Sequence, residues 1–401
     1  MDAESYRLLA VTDLELHDGG SAAVMQWRGM LCALAGQHGR QLSVRVLCPM
    51  AGPADAAGTE RLRCEEPGLS WLGAAAPEPL TLAAMEALEG LYWQQLAEFR
   101  PDAVLACGSS VLTCGMLHEA RARGLPALLC RCGASAAEDA CGAAELVLTA
   151  SQAEARHCAQ SMRLNAMAAG IFADPRAVAD AEAGAGGGCV TLLRPTLPHG
   201  LAVWARLALM TRGLPEAPGF LVAQDPQVLA RDLAALRVPG AAPAAALTLG
   251  DLGQVELVPP QTPLRALLER TRLLLMPSLQ ASCQGSEAAA AVFSSIPVLA
   301  SHCGALPEAC REDEGCGCCL EPPATCREDA AALPGEEEVR PWLMAMQRML
   351  GPDHARHVRA CAGVRDRAGH SAGQVWELLE PLLHRRCGSR ARLLCGGSLR
   401  R

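Results

Sequence analysis

Short apolar runs alternate with longer amphipathic stretches along this sequence, and the alternation begins again near its midpoint. Tyr6 to Val11, Leu42 to Leu47, Pro101 to Cys107, Ala127 to Cys130 and Leu146 to Thr149 read as strands, with helices over Ser21 to Gln37 and Leu112 to Arg123. Around Ala177 to Gly188 the composition turns to Ala, Gly, Asp and Glu and ends in Gly186-Gly187-Gly188, a linker signal. Strands then resume at Cys189 to Leu193, Phe220 to Val222, Val255 to Val258, Arg272 to Pro277 and Pro297 to Ala300, with a helix through Trp204. Strands alternating with helices predict parallel βαβ units. The expected class is therefore α/β, with two Rossmann-like doubly wound parallel-sheet domains facing across a cleft. Open sheets of this kind bind ligands at their carboxyl edges.

The expected boundaries are an N-terminal domain over 1–175, a linker over 176–188 and a second domain over 189–345. Two closing helices are expected within Val339 to Leu383, in a segment 346–384, before a basic tail over 385–401 that is read as disordered. A chain of 401 residues exceeds one usual core, which agrees with two domains.

Charge and cysteine content narrow the function classes. The net charge of −8 argues against a nucleic-acid binder, and all 35 basic residues are Arg, so any phosphate clamp must use Arg, His or backbone N–H groups. The 20 cysteines are scattered behind an acidic, polar start, Met1 to Ser5, with no secretory pattern. Reduced, buried thiols and a cytoplasmic location are the expectation, with peripheral contact at the inner face of a membrane left open. Cys316-Gly317-Cys318-Cys319, flanked by Cys310 and Cys326, lacks matched CxxC pairs and reads as a structural thiol cluster, so no metal site is expected.

The second half carries Met276-Pro277-Ser278-Leu279, Gly285-Ser286-Glu287-Ala288, Ser295-Ile296-Pro297-Val298 and Cys303-Gly304-Ala305-Leu306-Pro307-Glu308. This order and spacing, ungapped from Pro277 to Glu308, resembles the donor-binding core of family 4 glycosyltransferases of the GT-B fold. Those proteins have a strand ending in Pro-Ser, a Gly loop opening a helix, a Gly-Ile-Pro-Val strand and a Gly-Gly-x-Pro-Glu turn. Looser echoes are His17-Asp18-Gly19-Gly20 at the family's N-terminal Gly-Gly loop, and Leu193-Arg194-Pro195 with Pro198-His199-Gly200 at its Gly-Arg-Leu…Lys-Gly segment.

The resemblance implies a retaining, metal-independent transferase without a cofactor. It would pass a sugar from a UDP- or GDP-type nucleotide-sugar donor to a hydroxyl on a glycan, lipid or protein. Arg194 would then meet the diphosphate. His199 falls at the Lys position and would help when protonated or as a hydrogen-bond donor. Gly285 and Ser286 would offer backbone N–H groups at a helix start. Gly19 and Gly20 would form the second ligand loop, with His17 beside them as a candidate for binding or catalysis against a plain solvated turn.

The sequence departs from the family where its Glu-x7-Glu motif should stand, because those positions hold Ser282 and Ala290. Glu287 lies three residues before the second position and shares its helix face, so it is a candidate to reach a ribose. The plainer reading has it complementing the helix dipole. The missing glutamates motivate a second hypothesis: an inactive glycosyltransferase-like subunit partnering an active transferase.

Overall fold

A computed structural model describes residues 5–14, 21–50, 63–66, 68–75, 81–108, 110–131, 142–180, 188–214, 217–238, 246–281, 284–367 and 372–384. The chain divides into two compact units, Met1–Asp174 with Gly369–Arg401, and Pro175–Ala368.

The first unit holds β1 (Tyr6–Thr12), β2 (Leu42–Met50), β3 (Arg63–Glu66), β4 (Leu69–Ala75), β5 (Ala103–Cys107), β6 (Ala127–Arg131), β7 (Leu146–Thr149) and β8 (Ala166–Ala168). They pair in the order β3-β4-β2-β1-β5-β6-β7-β8. Only β3 runs antiparallel, against β4, a hairpin the sequence pattern did not signal. The central strands are mostly apolar and buried, as in Ala103–Cys107, because helices cover both faces. One face packs Leu8, Leu105 and Leu128 against Trp27 and Met30 of helix Ala22–His38. The other packs Leu9, Val104 and Leu129 against Leu88 and Tyr92 of helix Leu82–Glu98, and Leu117 of helix Val111–Ala122. The serines and threonine before the helices set their starts: Ser21, Thr81, Ser110 and Ser151 each accept a first-turn N–H.

The second unit holds β9 (Cys189–Leu193), β10 (Gly219–Ala223), β11 (Val255–Val258), β12 (Thr271–Met276), β13 (Val298–Ser301) and β14 (Gly317–Leu320), in the order β11-β10-β9-β12-β13-β14. All of its pairings are parallel. Its core joins Val190, Leu192, Phe220 and Leu273 to Trp204 and Leu207 of helix Leu201–Thr211, and to Trp342 and Met346 of helix Glu336–Leu350.

The segment expected to form two closing helices forms three, Glu336–Leu350, His354–Asp366 and 372–384. Gly351-Pro352 breaks an amphipathic pattern that otherwise reads as continuous. The first two helices belong to the second unit and the third to the first unit. There Val375, Trp376, Leu379 and Leu383 enter the core, and Trp376 stacks on His38 with ring centroids 4.4 Å apart.

The start of the linker is also packed. Pro175–Ala177 makes a 3-10 turn, Ala177 and Ala179 are buried, and the Ala179 N–H donates to Ser294 Oγ at 2.9 Å. Gly317, Cys318 and Cys319 of the expected thiol cluster lie in β14, with Cys310 and Cys316 buried beside it as free thiols. Among the described residues, no helix is long and apolar enough to cross a membrane.

Candidate functional site

In the second sheet the chain runs from β9 outward to β10 and β11, then returns to β12 on the other side of β9. The carboxyl ends of β9 and β12 therefore flank a topological switch point, the usual ligand position in an open parallel sheet. The residues that leave those two strands build the site.

Arg194 follows β9 directly and adopts a left-handed backbone, φ 45°. That conformation costs a non-glycine residue roughly 1–2 kcal/mol. It is held by neighbouring bonds: the Arg194 N–H donates to Ala223 O at 2.9 Å, and Gln224 Nε2 donates to Pro195 O at 3.1 Å. The turn continues through Leu197–His199 to Gly200 at φ 79°. A β-carbon there would collide with the carbonyl oxygen of Pro277, just after β12, so only glycine lets the two loops meet. The Leu279 N–H donates to Pro198 O at 2.9 Å across the same contact.

Helix Gly285–Phe293 opens beyond β12, and Gln284 before it makes no side-chain capping bond. Glu287, in its first turn, is 1% exposed. Its Oε1 accepts a hydrogen bond from Arg194 Nη2. Oε2 is buried with no partner among the described residues, as are Gln284 Oε1 and, at the end of β13, Ser301 Oγ. Burial pushes the Glu287 carboxyl above the usual carboxylate range, and the Arg194 charge opposes that only in part.

His199 is half-buried, with Nδ1 2.9 Å from Thr196 Oγ1. Burial, and then the charge of Arg194, hold its pKa below the ordinary histidine value. At neutral pH it is an uncharged imidazole, so of the two roles open to it in the sequence, hydrogen bonding is the one its surroundings favour.

Arg194, His199, Gly285, Ser286 and Glu287 thus come from one switch point of the second unit. His17, Gly19 and Gly20 lie outside the described residues. The sequence reading foresaw neither the burial of Glu287 nor its pairing with Arg194, whose Cα lies 93 positions away. Gln284 and Ser301 were missed as well, because a polar residue beside a Gly turn carries no sign of being buried and unpaired. Among the described residues, no group of three or more His, Cys, Asp or Glu is placed to hold a metal ion.

No family model matches the chain, and no curated protein matches it in sequence. Solved structures do match over its length. One is an α,α-trehalose-6-phosphate synthase from Burkholderia multivorans, at TM-score 0.59 and 12% identity, covering 99% of this chain and 100% of that one. Another is an E. coli trehalose-6-phosphate protein bound with UDP-2-fluoro glucose, at TM-score 0.56 and 11% identity, covering 94% and 99%. A third is a UDP-forming α,α-trehalose-phosphate synthase from Burkholderia xenovorans in complex with glucose-6-phosphate, at TM-score 0.56 and 11% identity, covering 94% and 99%. At such identities the likeness speaks for the fold, and the chain has the two-domain GT-B fold of these enzymes.

Proposed function

We propose that the chain is a glycosyltransferase that takes a sugar from a UDP- or GDP-type donor, without a metal and with retention, and passes it to a hydroxyl of an acceptor. The observation that carries this reading is the meeting of Arg194, His199 and the start of helix Gly285–Phe293 at the switch point beside β9 and β12. A diphosphate placed there would receive hydrogen bonds from the guanidinium and from helix N–H groups, which stabilise the charge that grows as the nucleotide departs. Glu287 Oε2 and Gln284 Oε1, both without a partner among the described residues, are acceptors that suit the hydroxyls of a ribose or a sugar. His199 would serve as a neutral hydrogen-bonding group.

Glycan, lipid and protein hydroxyls remain the acceptor classes. Phosphorylated sugars join them, because one structural neighbour was solved with glucose-6-phosphate. A cytoplasmic location, with peripheral contact at the inner face of a membrane left open, is proposed with it and is supported by the free thiols among the described residues.

A calorimetric panel of UDP, GDP, ADP and their sugars against the purified chain tests the proposal. A uridine or guanosine diphosphate should bind, and Arg194→Ala should weaken it by about 1.5–3 kcal/mol, the worth of a charge-assisted hydrogen bond. No binding by any nucleotide refutes the donor site. Binding without transfer or donor hydrolysis removes the catalytic part and leaves the partner-subunit alternative.

A further inference from the structure

The donor reading draws only on the second unit, yet the first unit contains a buried cation that has no carboxylate partner among the described residues. Arg131 ends β6 and is 5% exposed. Its Nη1 donates to Cys158 Sγ at 2.8 Å, and its Nε is buried with no partner among the described residues. The contrast within the same unit is Arg28, equally buried. Arg28 is paired with Asp174 at 3.0 Å and lies 4.7 Å from the centroid of Trp71.

Burying a guanidinium without an anion is costly, and arginine cannot escape the cost by losing its proton. The sulfur that accepts from Arg131 is a weak acceptor. The carboxylate at the switch point of the first sheet makes no hydrogen bond to it. The first sheet reverses direction between β1 and β5, where Asp13 already accepts hydrogen bonds from Ser110 N at 2.9 Å and Thr113 Oγ1 at 3.1 Å. Gly108, at φ 137°, leaves room for that carboxylate where any β-carbon would collide with it. Arg131 instead stands opposite Thr149 at the carboxyl ends of β6 and β7, on the edge where open sheets receive ligands.

We propose that Arg131 is an anion subsite of the first unit, taking a compact oxyanion, a phosphate ester or a carboxylate, carried by a small molecule bound at that sheet edge. The site stands on the buried cation alone. Naming its occupant as the sugar acceptor rests on the transferase reading above. A guanidinium offers two parallel N–H groups to such an oxyanion, which a hydroxyl cannot match.

Calorimetry on the full chain with inorganic phosphate, glucose 6-phosphate, glucuronate and glucose tests this, using wild type, Arg131→Met and Arg194→Met. Glucose 6-phosphate or glucuronate should bind wild type and Arg194→Met alike, glucose should not, and Arg131→Met should weaken binding by about 10- to 100-fold. The stronger of the two acids identifies the oxyanion. Should Arg131→Met fail to fold, Arg131→Lys, which keeps the charge and loses the fork, should fold and bind more weakly. Absence of binding by both acids, or equal binding by the position-131 variants, overturns the site. So does the loss of one thiolate's ultraviolet absorbance on Arg131→Met, since Cys158 would then be the counter-ion. Glucose 6-phosphate binding through Arg131 with no nucleotide binding would remove the donor reading and keep this site. Nucleotide binding through Arg194 with no oxyanion response would do the reverse.

Discussion

The Arg194–Glu287 pair is unequal, and its inequality can be measured. The carboxyl is 1% exposed and the guanidinium 38%. Arg194→Ala leaves a fully buried carboxyl with neither oxygen partnered, and breaking a buried pair from this side costs about 3–5 kcal/mol. Glu287→Gln leaves a guanidinium that water still reaches, so its cost should be about 1 kcal/mol, one hydrogen bond exchanged for another. The double variant removes the stranded charge and should recover most of the loss.

Proton linkage sharpens the test. Burial holds the Glu287 carboxyl above its ordinary pKa, so the folded chain keeps a proton that the unfolded chain has released. In that window the folded state binds more protons, and stability falls as pH rises, by at most about 1.4 kcal/mol per pH unit. Without Arg194 the window widens. The penalty of Arg194→Ala should therefore be small near pH 4.5 and full at neutral pH, whereas Glu287→Gln should be flat. Urea unfolding of the four proteins across that range, followed by tryptophan fluorescence from Trp204 and Trp342, reads both effects. Equal costs for the two single variants, or a pH-independent penalty for Arg194→Ala, would refute the picture of a buried carboxyl held by one half-exposed cation.

Three further outcomes are expected. Gly200→Ala should destabilise by more than the roughly 1–2 kcal/mol of a left-handed backbone, because the Pro277 carbonyl must also move, and wild-type stability on urea unfolding would contradict that contact. Asp174→Asn should cost about 1.5–3 kcal/mol by removing the charge-assisted hydrogen bond that the carboxylate makes with buried Arg28, and an unchanged melting temperature would show that the ion pair does not form. His199 resists its proton in the folded chain, so the unfolded state binds more protons below the ordinary value near 6.5 and stability should drop as pH falls through that point. His199→Asn should remove that part of the acid sensitivity, and identical pH profiles would exclude it.

Much of the architecture could be read in advance because buried parallel strands leave an unmistakable trace. Runs such as Leu146 to Thr149 and Cys189 to Leu193 are apolar but for one threonine each, and they became strands with those bounds. The β3–β4 hairpin escaped notice because its residues, Arg63 to Glu66 among them, show neither a run nor an alternation. The closing segment was miscounted because amphipathic periodicity tells that a helix needs a core, without telling which core. Trp376 went to the first unit and Trp342 to the second.

The site divides in the same way. The sequence by itself determined which residues stand at the strand ends, since chain order and apolar runs place Arg194 after β9 and the Gly285 turn after β12. It also determined that any anion must be met by arginine, histidine or backbone, there being no lysine. Only the tertiary structure decided how those groups are spent: that Glu287 is buried against Arg194, that His199 is kept neutral, and that Arg131 lies enclosed while Arg28 has its carboxylate. The physical reason is that charge and burial depend on three-dimensional neighbours far apart in sequence, while secondary structure is written in local period and can be read one residue after another.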